Sequence, residues 1–164
     1  DVEMVLAKTS GFGEGEELFE GIERIEGREI TVLFADDSVV ARDQIMRTLD
    51  HIGAKHLSAS NGVEAWQKIK ELADRAEATG GKASDYVQVV LTDVEMPEMD
   101  GYVLTKNIKQ DPRLADIPVI MHSSLSADAN QELGKGVGAD AYVPKFQPVE
   151  LAAKLQEILI NKHA

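Results

Sequence analysis

Cysteine is missing from the 164 residues altogether, so neither disulfides nor thiolate metal sites can contribute to the fold or its chemistry. Aromatics make up only 5% of the chain, with Trp66 the single tryptophan, and no apolar run approaches the length of a membrane span. Positive charge is scarce too: 17 Lys and Arg face 29 Asp and Glu, a net charge of -12. The basic residues form no cluster, which leaves no face to track a phosphate backbone and argues against a nucleic-acid partner. No basic end followed by an apolar segment opens the chain, so a signal peptide is unsupported, and a start at Asp1 is expected to lie inside a longer protein. What remains, 43% hydrophobic residues in a chain of ordinary domain length, suits one packed soluble globule.

The deficit of positive charge is uneven. Residues 1–29 hold nine acids against Lys8, Arg24 and Arg28, and five glycines from Gly11 to Gly27. That composition reads as an acidic, solvated connector over residues 9–29, with the domain proper starting at Ile30. The glycine strings Gly11-Phe12-Gly13-Glu14-Gly15 and Gly134-Lys135-Gly136-Val137-Gly138 lack the preceding strand and following Lys-Ser/Thr of a phosphate loop.

From Ile30 onward, short apolar runs alternate with amphipathic stretches, the pattern of β-α units around a parallel sheet. The predicted strands are Ile30–Ala35, His56–Ala59, Val87–Thr92, Val119–His122 and Ala141–Val143. Helical spacing of Ala41, Ile45, Leu49 and Ile52 gives a first helix, capped by Asp37 or Ser38. Ala65, Trp66, Ile69, Leu72 and Ala73 give a second, extended one that breaks at Gly80-Gly81. A third spans Tyr102–Lys109, a fourth lies within Ala127–Lys135, and a last one opens at Pro148 with the stripe Leu151, Leu155, Ile158 and Leu159. No further domain is expected after it. Right-handed crossovers then predict an α/β, flavodoxin-like (βα)5 doubly wound parallel sheet with strand order 2-1-3-4-5.

Three strand ends carry the chemistry. Asp36 and Asp37 follow the first strand, Asp93 ends the third before Val94-Glu95-Met96-Pro97-Glu98-Met99-Asp100-Gly101, and Lys145 follows the fifth. In an open parallel sheet such ends converge on one crevice at the topological switch point, where charges far apart in sequence can build a site for a divalent cation and a phosphoryl group. Each residue alone has an ordinary reading: Asp36-Asp37 as a helix cap, Lys145 as a solvated lysine, Ser123 as a loop hydroxyl, Tyr142 as a half-buried strand aromatic. Trp66 reads as core, Met96 and Met99 as cover for the loop, and the four histidines show no mutual metal-ligand spacing.

Taken together, Asp36-Asp37, Asp93 with Met96-Pro97 and Asp100-Gly101, Ser123, Tyr142 and Lys145 resemble the receiver domain of two-component response regulators, over residues 30–161. The resemblance implies that Asp93 accepts a phosphoryl group from a histidine kinase, with Mg²⁺ held by Asp37, Asp93 and the backbone carbonyl of Glu95, and by Asp36 through water. Lys145 would pair with Asp93 and then with phosphoryl oxygen, Ser123 would donate its hydroxyl to that oxygen, and Tyr142 would switch rotamer in response. The physics agrees, because clustered carboxylates need a compensating cation and all-oxygen ligands favour Mg²⁺. No enzymatic turnover is implied beyond self-phosphotransfer and autodephosphorylation.

The chain departs from the common receiver pattern in two respects. Phe146 follows Lys145 where proline is usual, so the peptide there is either trans in a reshaped loop or an enforced cis bond. Glu95 and Leu125 stand where receivers often carry water-orienting groups, and Leu125 can orient none, which predicts a persistent phosphoryl-aspartate. Asp1–Lys8 resembles the end of a CheW-like coupling domain, and Lys145-Phe146 with Pro148 resembles chemotaxis coupling proteins of the CheV type. That resemblance implies a cytoplasmic adaptor at receptor arrays, linking chemoreceptors to a CheA-like kinase with no membrane insertion of its own. The alternatives are a free-standing CheY-like receiver or phosphate sink and, more remotely, a phosphohydrolase of the haloacid dehalogenase type. The last expects an Asp-x-Asp nucleophile on strand one, where this chain has adjacent aspartates.

Overall fold

The computed structural model describes residues 19–123 and 135–163. Residues 1–18, Leu125 and the helix expected within Ala127–Lys135, apart from Lys135 itself, lie outside them. Five parallel strands form one sheet: β1 (Thr31–Ala35), β2 (Lys55–Ala59), β3 (Val89–Asp93), β4 (Val119–Ser123) and β5 (Ala141–Pro144). Their order is β2-β1-β3-β4-β5, the predicted flavodoxin-like arrangement, with its switch point between β1 and β3. Among the described residues, helices pack on the two faces as α1 (Val39–Ile52), α2 (Gly62–Ala78), α3 (Gly101–Gln110) and α4 (Pro148–His163).

The strands alternate their side chains between two cores, as expected of a sheet covered on both faces. Val32 and Phe34 of β1, with Leu91, Ile120 and Val143, meet the stripes of α1 and α4 through Leu49, Ile52, Leu155 and Leu159. Leu33, Ala35, Val90 and Val119 face α2 and α3 through Ile69, Ala73, Leu104 and Ile108. Trp66 is partly buried against this second core, and Lys70 Nζ stands 5.3 Å from its ring centroid. Met96 and Met99 pack there too.

Caps fix where the helices begin. Ser38 accepts from the Ala41 amide (3.2 Å), Asn61 from Glu64 (2.8 Å) and Asp100 from Val103 (2.9 Å). Strand bounds differ from the sequence reading by one or two residues, for local reasons. β3 starts at Val89 because the Tyr86 amide closes a 3-10 turn onto the Ala83 carbonyl, which the Val87 amide also bonds, and it ends at Asp93 because that residue pairs with His122. The last helix runs on to His163.

Residues 19–29 differ from the composition-based expectation of a solvated connector. Phe19 is 5% exposed and stacks on His51 at 4.6 Å, while Ile22 and Ile25 pack against the core under α1 and α4. Three apolar side chains spaced by three residues among the acids supply the burial that the average composition hides.

Gly101 is required by contact rather than by dihedral freedom. It opens α3 directly against the end of β3, where an added Cβ would run into the carbonyl oxygen of Asp93. Gly101→Ala should therefore lower stability by roughly 2–4 kcal/mol in urea unfolding, while Gly136→Ala, at an exposed position with open space around it, should leave stability within about 0.5 kcal/mol of the parent.

Candidate functional site

β1 delivers Asp36 one residue past its last ladder position, on the face already used by Val32 and Phe34, and the side chain is fully buried. Its Oδ1 accepts the Ser38 amide at 2.8 Å, and its backbone carbonyl accepts Arg42 Nη1 at 2.6 Å, so the carboxylate and the start of α1 are fixed together. Asp37, next in sequence, is exposed at the rim. β3 delivers Asp93 on the same face, 2% exposed, and ligand oxygens of Asp36, Asp37 and Asp93 lie within 4.8 Å of one another.

Lys145 reaches this group from the far edge of the sheet. The Lys145 amide donates to the Ser123 carbonyl at 3.0 Å, which holds the end of β5 against the end of β4. Its ammonium stands 3.1 Å from Asp93 Oδ2 and 3.1 Å from Asp36 Oδ2, nine-tenths shielded from solvent. One ammonium thus bridges two buried carboxylates. Burial pushes the Asp93 carboxyl up to about 6, with repulsion from Asp36 adding to it, while Lys145 and the Glu95 amide pull the other way. Lys145 is pushed up by its two carboxylate partners despite its own burial.

Asp36 Oδ2 is buried with no hydrogen-bond partner beyond the ammonium's charge, so three carboxylates and one lysine leave negative charge uncompensated. All-oxygen donors with an open approach suit a hard divalent cation such as Mg²⁺. Glu95 belongs to the loop of Val94, Met96 and Pro97, which lines an open depression with Asp37, Asp100 and Tyr102. Glu95 thus borders the same open depression as Asp37.

Ser123 ends β4 and is 1% exposed. Tyr142 of β5 pairs with Met121 and is half-buried. The Tyr102 phenol is pushed up first by burial and then by Tyr142, Asp100 and Glu95, which places Tyr142 among the groups around this end of the sheet. The Lys145–Phe146 peptide is trans, since the described residues contain no cis peptide, and the chain turns instead through Phe146 at φ +60.

One residue of the site escaped the sequence reading. His122, assigned no chemistry there, pairs with Asp93 across the β3-β4 ladder and places Nε2 3.6 Å from Asp36 Oδ2. Burial and the charge of Lys145 push its imidazole down to about 3, so it is neutral. Its bond to the Ala35 backbone leaves Nε2 without a partner, facing the carboxylate. The available signal was positional: a histidine one residue before a strand-end hydroxyl, beside the strand that ends in Asp93.

Comparison with known proteins bears on the fold and the family of the chain. The family described as the response regulator receiver domain matches residues 32–156. Chemotaxis protein CheV3 of Helicobacter pylori is 35% identical over 137 residues, covering 84% of this chain and 42% of the relative. Chemotaxis protein CheY1 of the same organism is 35% identical over 130 residues, 78% of this chain and 95% of the relative. The chain thus spans about two-fifths of the CheV relative's length. Among solved structures, chemotaxis protein CheY4 of Vibrio cholerae superposes with a TM-score of 0.66 at 28% identity, covering 80% of this chain and 99% of that one. The receiver domain of a Pseudomonas aeruginosa sensor histidine kinase, solved with magnesium in its active site cleft, shares the fold at a TM-score of 0.65 and 20% identity, covering 80% and 98%.

The raised Asp93 carboxyl makes a signed prediction for stability. A carboxyl whose folded value lies near 6 and whose unfolded value is 3.8 costs nothing below pH 4, where both states hold the proton. The cost grows between pH 4 and 6 and is complete above. Asp93→Asn should therefore be more stable than the parent by roughly 1–3 kcal/mol at pH 8 without divalent cations, the difference vanishing toward pH 4. Urea unfolding at the two pH values measures it.

Proposed function

The chain belongs to the response regulator receiver domain family, and from that premise we propose that Asp93 is the phosphoacceptor through which a CheA-like histidine kinase signals to a chemotaxis adaptor. The observation that carries this reading is the single ammonium of Lys145 shared by two buried carboxylates. Asp93 Oδ attacks the phosphorus of a phosphohistidine, the P–N bond breaks as the P–O bond forms, and the histidine nitrogen keeps the electron pair and takes up a proton. Lys145, already within 3.1 Å of Asp93, moves its charge onto the phosphoryl oxygens as negative charge builds there. Ser123 donates its hydroxyl to one of those oxygens, and Tyr142 changes position in response. Asp36, Asp37, Asp93 and the Glu95 carbonyl would hold Mg²⁺, which when bound neutralises phosphoryl and carboxylate charge together. The chain takes one phosphoryl group at a time and returns to rest by autodephosphorylation, with no turnover of a separate substrate.

The adaptor reading places residues 1–8 at the end of a CheW-like coupling domain that joins a chemoreceptor array on the cytoplasmic side. It draws on the CheV relative, which aligns over 84% of this chain. A free-standing CheY-like receiver is the second reading, supported by the near-complete coverage of CheY1. No helix among the described residues is long and apolar enough to cross a membrane.

Incubation with acetyl phosphate and Mg²⁺, followed by intact mass, should add one phosphoryl group to the parent and none to Asp93→Asn. Lys145→Ala should slow the gain by about 10²-fold, as loss of one preorganised charge at a reacting oxygen does. With Leu125 offering no group to orient water, the adduct should outlast seconds in purified protein. An unmodified parent would overturn the phosphoacceptor reading.

A further inference from the structure

Two of the helices that begin beside the acidic pocket, α1 and α4, lie on the same face of the sheet. α1 begins two residues after Asp37, with Asp36 bonded to the Ser38 amide at 2.8 Å and to Arg42 at 2.6 Å through its carbonyl. α4 begins three residues after Lys145. They pack side by side, and each runs away from the pocket toward the end of the sheet where the strands begin. α1 alone carries that connection about 21 Å, at 1.5 Å per residue.

Residues 19–29 lie across the far ends of both. On α1, Phe19 stacks on His51, the Ile25 amide donates to the Ile52 carbonyl at 2.8 Å, and the Arg24 guanidinium crosses Gly53 so closely that a Cβ there would stand 2.9 Å from Nη2. On α4, Gln156 Nε2 donates to the Glu23 carbonyl at 2.6 Å and Arg28 Nη2 donates to the Leu159 carbonyl at 3.1 Å. Ile22 and Ile25 fill the seam between the helices. The segment is therefore tied separately to two rods whose near ends are held together by the ion pairs of Lys145 with Asp36 and Asp93.

We propose that residues 19–29 are a strap docked in cis whose seating on α1 and α4 responds to the charge at Asp93, which makes the far-end groove of these helices the surface through which the pocket communicates with the sequence preceding it. Changing the charge at Asp93 changes how Lys145 divides itself between Asp93 and Asp36. Lys145 leads into α4 and Asp36 anchors the start of α1, so a change in the Lys145–Asp36 pairing shifts the two rods against each other, and the strap spans the place where that shift is read. The proposal rests in part on the phosphoacceptor reading, and one arm of its test does not.

The Ile25 amide is the reporter, followed by hydrogen exchange in the full chain. In the parent its exchange should be slowed well below that of an unstructured amide, and exchange at the unstructured rate would overturn the proposal. Ile22→Ser should release it while the amides of β1 and β3 keep their protection. In Asp93→Asn, which alters the pocket charge without any phosphoryl group, Ile25 exchange should change by at least about fivefold, the lower end of couplings between distinct sites. An unchanged rate there overturns the coupling. The parent treated with acetyl phosphate and Mg²⁺, with mass and exchange read on one sample, should show a change of similar size. A mass gain with unaltered Ile25 exchange overturns this inference and leaves the phosphoacceptor reading intact. Absence of a mass gain overturns that reading, and the Asp93→Asn arm then decides the strap by itself.

Discussion

A lysine ammonium shared between two buried aspartates is the constraint on which the site depends. Two carboxylates at the ends of adjacent parallel strands repel each other in a space closed to water, and without compensation they would take up protons or push the strand ends apart. Lys145 prevents both, 3.1 Å from each, yet leaves Asp93 only partly relieved, its carboxyl still held near 6. A fully satisfied carboxylate would make a poor acceptor. One that shares its counter-charge can give that charge up to an incoming group, and the same incompleteness makes the cluster suited to a divalent cation.

The fold serves this arrangement through register. Asp36, Asp93 and His122 occupy equivalent positions on neighbouring strands, so all three side chains project to the face that α1 and α4 cover. The other face holds α3 to the end of β3, where Gly101 lets the helix start against the Asp93 carbonyl. Asp93 is thus gripped by its backbone on one side and approached by charge on the other.

Most of this was legible in the sequence because the signals were periodic or punctuated. Alternating apolar runs gave the sheet and its order, and carboxylates at the ends of those runs gave Asp36, Asp37 and Asp93. Three features were not legible, each for a separable reason. His122 looked inert because its importance lies in a cross-strand neighbour, a relation that spacing along the chain does not carry. The strap was hidden by averaging, since nine acids and five glycines over residues 1–29 outweigh Phe19, Ile22 and Ile25 in any composition measure, while the groove that buries them belongs to helices far along the chain. The loop at Phe146 left two backbone solutions open, and only the folded chain selects the trans peptide with a left-handed turn.

The pocket's charges are also widely separated along the chain: Lys145 lies 52 residues beyond Asp93 and 109 beyond Asp36. β5, the edge strand that carries the lysine, is the last strand to be synthesised and cannot pair until β4 is in place. A chain folded only as far as β4 would hold the acids without their counter-ion. The counter-charge of the buried acids therefore arrives late, only once β5 has paired with β4, and the acidic cluster is electrostatically complete only in a domain folded through its edge strand.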